Sequence, residues 1–189
     1  CCSALTSIRM SGSCVCPAVT TLGVLMACSG RDSTPQAPAL TYSDPASSNY
    51  RLVQDPAPAS AGLVLRLEGP NGSSIRGALM SLTVDGARAS WAPVEGTSYV
   101  QDGGALDLGS GLKLLRGQVS GSTLEVAAFQ KGTTPAAPLG AKPILRIALA
   151  LKGGAAKGPV AFAAGTAQIL DAQGSTQTVP VAVGTLSVQ

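Results

Sequence analysis

Cysteines and carboxylates are the side chains of this chain that could carry chemistry, because its 189 residues include no histidine. Without histidine, a Ser-His-Asp triad and a Cys-His pair are both excluded, as is a zinc site of mixed Cys and His ligands. The five cysteines all lie in the first 28 residues, and the spacing of Cys14 and Cys16 differs from the C-x-x-C pairs of zinc and redox sites. The candidates are therefore the last of these cysteines and the acidic residues.

Cys28 ends an apolar stretch that has the features of an export signal. Residues 15–27 are mostly apolar, and small residues precede the cysteine. The stretch is shorter than the ~20 residues that a transmembrane helix needs. The tetrapeptide Leu25-Met26-Ala27-Cys28 resembles the lipobox of bacterial lipoproteins, in which the cysteine is lipidated and becomes the new N-terminus.

The lipobox resemblance implies a signal peptide over residues 1–27 and a lipid anchor that holds the protein at a membrane outside the cytoplasm. Residues 1–9 are either part of that signal or upstream sequence read in frame, since translation could begin at Met10. Ser29 stands where an aspartate would favour inner-membrane retention in Gram-negative lipoproteins, so the resemblance favours the outer membrane. The alternative for the cysteines is a set of disulfides or a metal site.

The acidic residues offer a carboxylate pair, which is the arrangement used in glycoside hydrolysis. Turns use aspartate for local hydrogen bonding, so isolated acidic residues in turns are typical of solvated surface positions. No partner can be assigned to any of them, and the sequence predicts a protein that is not an enzyme and needs no cofactor. Seven carboxylates fall in turns or on expected solvated faces: Glu68, Asp85, Glu95, Asp102, Asp107, Glu125 and Asp171.

Calcium is the metal that the acidic residues could bind, because hard cations take oxygen ligands. Asp171 and Gln173 offer oxygens two residues apart, and Asp102 and Asp107 flank a Gly-Gly pair. Neither group supplies the six or more oxygens that calcium takes. The alternative for both is a turn with glycine at a positive φ.

Composition limits the class of partner. Charged residues make up 12% of the chain and are scattered singly, and aromatic residues make up 3%. Binding to nucleic acid needs clustered Lys and Arg, so no nucleic-acid partner is expected. Low charge with abundant Leu, Val and Ala favours a sheet protein over a disordered one.

Residues 28–61 are predicted to form a Pro- and Ser-rich tether between the lipidated cysteine and a domain. Prolines recur there too often for a helix or a central strand, and such segments are extended and semi-stiff. Tyr42, Tyr50, Leu52 and Val53 are the exceptions, and they could add a first edge strand to the domain.

From residue 62 onward, apolar and polar residues alternate with period two, which predicts strands with one buried and one solvated face. Turn signals such as Asp85-Gly86 separate about nine such segments. The segment 144–151 could also form two buried helical turns, but its length and alternation favour a strand. The sequence thus predicts one all-β domain over residues 62–189, an Ig-like or jelly-roll β-sandwich.

The order of these segments resembles the cohesin family, whose Ig-like jelly-roll domains are receptors for dockerins. The early segments that carry the resemblance are Ile75–Val84 and W-A-P-V-E-G at 91–96. The late ones are I-L-R-I-A-L-A-L-K-G-G-A-A-K-G-P-V-A-F, A-Q-I-L-D-A-Q-G and V-P-V-A-V-G-T-L-S-V. The resemblance implies a cohesin-like sandwich that binds a protein, either dockerin-like or a component of the cell envelope. The alternatives are a carbohydrate-binding module with a polysaccharide ligand and a structural piece of an envelope assembly.

Three aromatic side chains are candidates for partner contact, because aromatic anchors dominate interface energetics. Phe129 shares parity with Glu125 and lies on the outer face of its predicted strand. Tyr99 is the second candidate. Trp91 shares parity with Ala89, so the core is the alternative position for this large ring. Exposed strand edges offer a further route, the addition of a strand by a partner.

Overall fold

The computed structural model describes residues 37–56, 62–107, 111–132, 139–140 and 142–189. Cys28 and the predicted signal peptide lie outside the described residues, so the prediction of lipidation stays a prediction. In the described part, no helix has the length and apolarity needed to cross a bilayer.

Fourteen strands make up the regular structure of the described residues. In chain order they are β1 (Leu40–Ser43), β2 (Arg51–Gln54), β3 (Leu63–Glu68), β4 (Ile75–Val84), β5 (Ala89–Ala92), β6 (Gln101–Asp102), β7 (Lys113–Ser120), β8 (Thr123–Gln130), β9 (Leu145–Leu151), β10 (Gly158–Val160), β11 (Phe162–Ala164), β12 (Thr166–Asp171), β13 (Thr176–Pro180) and β14 (Thr185–Val188).

Two antiparallel sheets form the main layers of the sandwich. The larger sheet has the order β13-β12-β4-β8-β7, with β11 also paired to β4. The second has the order β2-β3-β9-β5, with β6 paired to β9. A third, three-stranded sheet joins β1, β14 and β10. The fold is therefore an all-β sandwich, as the sequence predicts, and its short extra strands account for the excess over the nine expected.

Period-two alternation places the apolar side chains of each strand in the core. In β3 the buried residues Leu63, Leu65 and Leu67 alternate with partly exposed ones. The apolar run at 145–151 is strand β9, so the helical alternative for this segment is wrong. β9 lies between β3 and β5, where both neighbours pair with it, and its residues Leu145, Ile147 and Leu149 are fully buried in the core.

The structure corrects the predicted boundary between tether and domain. The compact unit begins at Ala37, and β1 and β2 both fall inside the segment 28–61. Tyr42, Leu52 and Val53 are each no more than 8% exposed, so these residues form part of the core and are not solvated. Since the described prolines of this segment, Pro38, Pro45 and Pro56, lie outside the strands, they do not prevent pairing.

Aromatic rings close the core at the end of the sandwich where β1 begins. The rings of Tyr42 and Phe162 meet edge to face with centroids 6.1 Å apart, and Trp91 packs on Phe162 at 6.3 Å. The Tyr42 hydroxyl donates to the carbonyl of Leu52 at 3.0 Å and accepts from the amide of Gly184 at 2.6 Å. Burial raises the pKa of Tyr42 above its usual value, although the bond from the Gly184 amide opposes the shift.

Candidate functional site

The outer face of the larger sheet carries a row of apolar residues across four adjacent strands. Backbone pairing aligns Gly77 of β4 with Phe129 of β8 and Phe129 with Leu114 of β7. On the other side of Gly77, Leu170 of β12 is its partner. Because residues directly opposite each other in a sheet share a face, these four residues form one continuous row.

A second row runs beside the first. Leu79 of β4 is aligned with Ala127 of β8 and with Gln168 of β12, and Ala127 is aligned with Arg116 of β7. This row is apolar at its centre and polar at both ends. Together the two rows make a flat apolar area with hydrophilic flanks.

The large apolar side chains that are exposed in the described residues all belong to this face. Leu112 is 81% exposed, Leu114 58% and Leu79 37%. Leu112 continues the register of β7, since its carbonyl accepts the amide of Lys131 at 3.0 Å. We call Leu79, Leu112, Leu114, Phe129 and Leu170 the outer-face patch. Contiguous exposed apolar area of this kind marks sites of interaction.

Phe129 packs over a glycine of β4, Gly77. A Cβ atom on Gly77 would stand 1.9 Å from Cδ1 of Phe129 and 2.7 Å from Cγ. The phenyl ring therefore occupies the space that a side chain at position 77 would fill, and it is half-buried. An aromatic ring over a strand glycine is a recurring way to stabilise such a position.

Polar groups border a shallow depression in this face. The depression has a volume of about 350 Å³ and is lined by Leu79, Leu114, Arg116, Gln118, Glu125, Val126 and Ala127. Arg116 donates a hydrogen bond to Oε1 of Gln118 at 3.1 Å, and Glu125 is aligned with Gln118 across the strands. One basic and one acidic side chain thus flank the apolar centre.

The three aromatic candidates are not brought together. Trp91 is 7% exposed and donates from Nε1 to the carbonyl of Ser122 at 2.9 Å. The structure corrects its assignment as a partner contact and places it in the core, the alternative that parity with Ala89 indicated. Tyr99 is half-buried and packs against Gly117 of β7, where a Cβ would lie 2.9 Å from the Cβ of Tyr99. Only Phe129 of the three lies on the outer face of the larger sheet.

The candidate carboxylates are either held by structural partners or exposed. Glu68 pairs with Arg51 at 2.9 Å and with Arg66 at 2.8 Å. Asp85 accepts the amide of Ala87 at 2.9 Å and so holds its turn. Glu95, Asp107 and Glu125 are exposed. Each of these groups thus has a structural partner or faces solvent.

Two of the three calcium candidates, Asp102 and Asp171, accept hydrogen bonds from protein donors, and Asp107 is exposed. Asp102 pairs through Oδ2 with Lys113 at 2.7 Å and accepts the amide of Gly104 through Oδ1 at 2.9 Å. Burial raises the pKa of Asp102, but the hydrogen bonds and the charges of Lys113 and Arg146 outweigh it and hold that pKa below its usual value.

Asp171 accepts the amides of Gln173 and Ser175 at 3.0 and 2.8 Å, the geometry of a turn. In the described residues, no three Asp, Glu, Cys or His side chains lie close enough to hold a metal ion.

The outer face of the second sheet differs from the patch, because its charges are paired. Arg146 donates to Asp55 at 2.6 Å and to the carbonyl of Asp102 at 3.1 Å. Arg51 and Arg66 share Glu68. Long arginine stems cover apolar surface while their charged ends stay near water, so this face is already covered by the protein's own side chains.

Solved cohesin modules share this arrangement of strands. A type II cohesin in a cohesin-X-dockerin complex from Acetivibrio cellulolyticus matches with a TM-score of 0.53 at 12% identity, covering 72% of this chain and 95% of that one. A cohesin from scaffoldin B of the same organism, solved in complex with a dockerin mutant, matches with a TM-score of 0.50 at 18% identity and covers 72% and 95%. The described domain has the cohesin fold.

A third module, the second type II cohesin of an adaptor scaffoldin from Acetivibrio cellulolyticus, gives a TM-score of 0.52 at 8% identity, covering 74% of this chain and 89% of that one. No protein-family model and no curated protein sequence matches the chain. At these identities the likeness establishes the fold of the domain.

The leucines of the patch are absent from the sequence-based list of candidate sites in this cohesin-like domain. A signal for them exists in the parity of each strand. Leu114 shares parity with Arg116 and Gln118, and Leu79 shares parity with Ser81 and Thr83. A leucine on the polar side of an alternating strand is an exposed leucine, and two of them on paired strands indicate a patch.

Proposed function

We propose that this chain is a membrane-anchored binding protein whose cohesin-like domain docks a protein partner on the outer-face patch. The patch carries the proposal, because it is flat, apolar and contiguous over four strands of a rigid sheet. Such a surface exceeds the scattered single leucines that soluble proteins normally expose. A dockerin-like protein or an envelope component is the partner we infer, since the solved cohesins of this fold include dockerin complexes.

The exposures of the leucines set the size of the binding effect. Full burial of a leucine is worth about 1.5–3 kcal/mol. Leu112 and Leu114 expose 81% and 58% of their surface. Burying the exposed surface of both leucines would contribute about 2–4 kcal/mol to the free energy of binding. This corresponds to at least about 30-fold in Kd.

A pull-down from a bacterial envelope extract tests the partner. We expect the protein to retain a partner that the double variant Leu112→Ser, Leu114→Ser loses. The matched control is Lys152→Ser, Lys157→Ser, which changes two exposed residues of the same domain and should retain the partner. Recovery of the same partner by the leucine variant, or of none by the unaltered protein, would contradict docking on the patch.

A polysaccharide ligand is the weaker alternative, because one aromatic ring of the three candidates lies on the outer face. Sugar binding typically uses several rings in a row. Affinity electrophoresis on cellulose, chitin and peptidoglycan distinguishes a polysaccharide ligand from a protein partner. If one of these polysaccharides retards the protein and Phe129→Ala abolishes the retardation, the ligand is a carbohydrate and not the proposed protein partner.

The membrane anchor is proposed from the tetrapeptide that ends at Cys28, which lies outside the described residues. A single acyl chain binds membranes only marginally, so we infer the multiple acylation that lipoproteins carry, with outer-membrane location if the source is Gram-negative. Intact mass spectrometry of the protein from membranes should show a chain that begins at an acylated Cys28. An unmodified Cys28 would remove the anchor and leave the docking proposal to be judged by its own test.

A further inference from the structure

β7 is an open edge of the larger sheet. It pairs with β8 on one side, and within the described residues no strand pairs with it on the other. The strand runs for eight residues, 113–120, in unbroken register with β8 and contains no proline. Proteins usually blunt an edge by making it short, by adding proline or charged side chains, or by a bulge; β7 carries Lys113 and Arg116 but has neither a proline nor a bulge. The opposite edge strand, β13, does end in a proline, Pro180.

The hydrogen-bonding groups that β7 leaves open can be identified from its register. Since the amide of Lys131 donates to the carbonyl of Leu112, residue 112 and every second residue after it bond to β8. The amides and carbonyls of Lys113, Leu115, Gly117 and Val119 therefore point away from β8. None of the hydrogen bonds between described residues uses these groups.

Pairing of β7 with itself gives a favourable register centred on Gly117. In this antiparallel register each copy of Leu115 faces Val119 of the other copy, and each Arg116 faces Gln118. No like charges stand directly opposite each other, and the two copies of Arg116 are diagonal neighbours across the axis. The overlap spans residues 114–120, which is nearly the whole strand, and three hydrogen-bonded residue pairs exchange two bonds each.

We propose that two copies of this chain associate through their β7 edges, with a two-fold axis at Gly117. A two-fold dimer requires a surface that is complementary to itself. In this register β7 is complementary to a second copy of β7 on both faces of the strand. Tyr99 packs directly beneath Gly117, which holds the centre of the edge in a fixed position. The dimer joins two larger sheets into one, with both outer faces on the same side. The inference does not depend on the proposed partner.

Analytical ultracentrifugation of the full chain under reducing conditions, over a range of concentrations, tests the dimer. Gln118→Arg places an arginine opposite Arg116 of the other copy at two symmetric positions, whereas Gln118→Glu places a carboxylate there. Cross-strand charge pairs of this kind change the dimer Kd by about 2- to 30-fold when two are altered together. We expect the first variant to weaken the dimer and the second to strengthen it, while thermal unfolding confirms that both remain folded.

Hydrogen exchange gives a readout at the level of single amides. The amides of Leu115, Gly117 and Val119 should exchange more slowly as concentration rises, whereas those of Arg116 and Gln118 are protected by β8 at every concentration. A protein that stays monomeric at all concentrations would overturn the proposal. So would a dimer whose affinity responds to neither variant at Gln118, or one in which the alternate amides of β7 stay unprotected.

Discussion

The packing of the Phe129 ring over Gly77 leads to a testable prediction about the outer-face patch. Alanine at position 77 would put its Cβ 1.9 Å from Cδ1 of Phe129, well inside ordinary carbon–carbon contact at about 3.5–4.0 Å. Because Gly77 does not have a positive φ, the backbone itself accepts alanine. The three atoms nearest to that Cβ all belong to the Phe129 ring, so the clash with the ring is the steric cost that we expect, and the ring must leave its place to relieve it.

Two opposing terms set the size of the effect of Gly77→Ala. Overpacking of this kind costs about 1–3 kcal/mol. Replacing glycine by alanine within a strand recovers about 0.5–1 kcal/mol. In the native background the free energy of unfolding should therefore fall by up to about 2.5 kcal/mol. In a protein that already carries Phe129→Ala the clash is absent. Gly77→Ala should then raise the free energy of unfolding by about 0.5–1 kcal/mol.

Urea unfolding followed by tryptophan fluorescence measures both backgrounds, because Trp91 is the single tryptophan and is buried. Gly86→Ala is the control, since its Cβ would meet only Ser122 at 3.6 Å and should show the same effect with and without Phe129. If Gly77→Ala has equal effects in the two backgrounds to within about 0.5 kcal/mol, the limit of additivity for independent sites, the ring does not depend on this glycine and our description of the patch is wrong.

Two further predictions concern the interior and an ion pair. Tyr42→Phe leaves the Leu52 carbonyl and the Gly184 amide without their partner and should lower the free energy of unfolding by about 1–3 kcal/mol, as measured by urea denaturation. Asp102→Asn keeps an oxygen for the neighbouring amide but removes the charge opposite Lys113. Because the pKa of Asp102 is lowered by folding, its carboxylate stabilises the protein above its unfolded pKa of about 3.9, and that contribution is lost as pH falls through the folded value. The variant should be less stable than the native protein by up to about 1 kcal/mol at pH 7, and the gap should close in strong acid; a gap that is unchanged at low pH would show that charge is not its cause.

Alternation in the sequence was sufficient to predict most of the sandwich and the outer position of Phe129. Period two tells which residues share a face, and the inner leucines of β3 follow from it directly. It does not tell whether a face has a covering layer, which depends on the strands that pair around it. The exposure of Leu114 therefore emerged only from the structure, although its polar neighbours on β7 supplied the signal.

The sequence predicts mainly a tether for the segment that holds β1 and β2, with one edge strand as the alternative, and the reason for this error is different. Proline frequency over a segment of thirty residues predicts an extended chain, but strand formation depends on where each proline stands. Pro45 and Pro56 each fall after a strand, so they end β1 and β2 without interrupting either. Tyr42 and Leu52 then reach the core through contacts with strands far along the chain, which no local pattern records.

Strand β1 also determines how the domain would respond to tension. The start of β1 lies with Leu63 and Leu151 around one depression, at the end of β9. Lys113, at the start of β7 beside the patch, pairs with Asp102, which is aligned with the first residue of β9. A pull on the chain before Ala37, opposed by a partner on the patch, would run along the strands and slide β1 lengthwise past β14. Four aligned residue pairs, the bonds between Ala39 and Gln189 and the Tyr42 hydroxyl would then resist together. A partner bound at the patch would accordingly pull against the whole β1–β14 ladder at once, and not peel it apart one bond at a time.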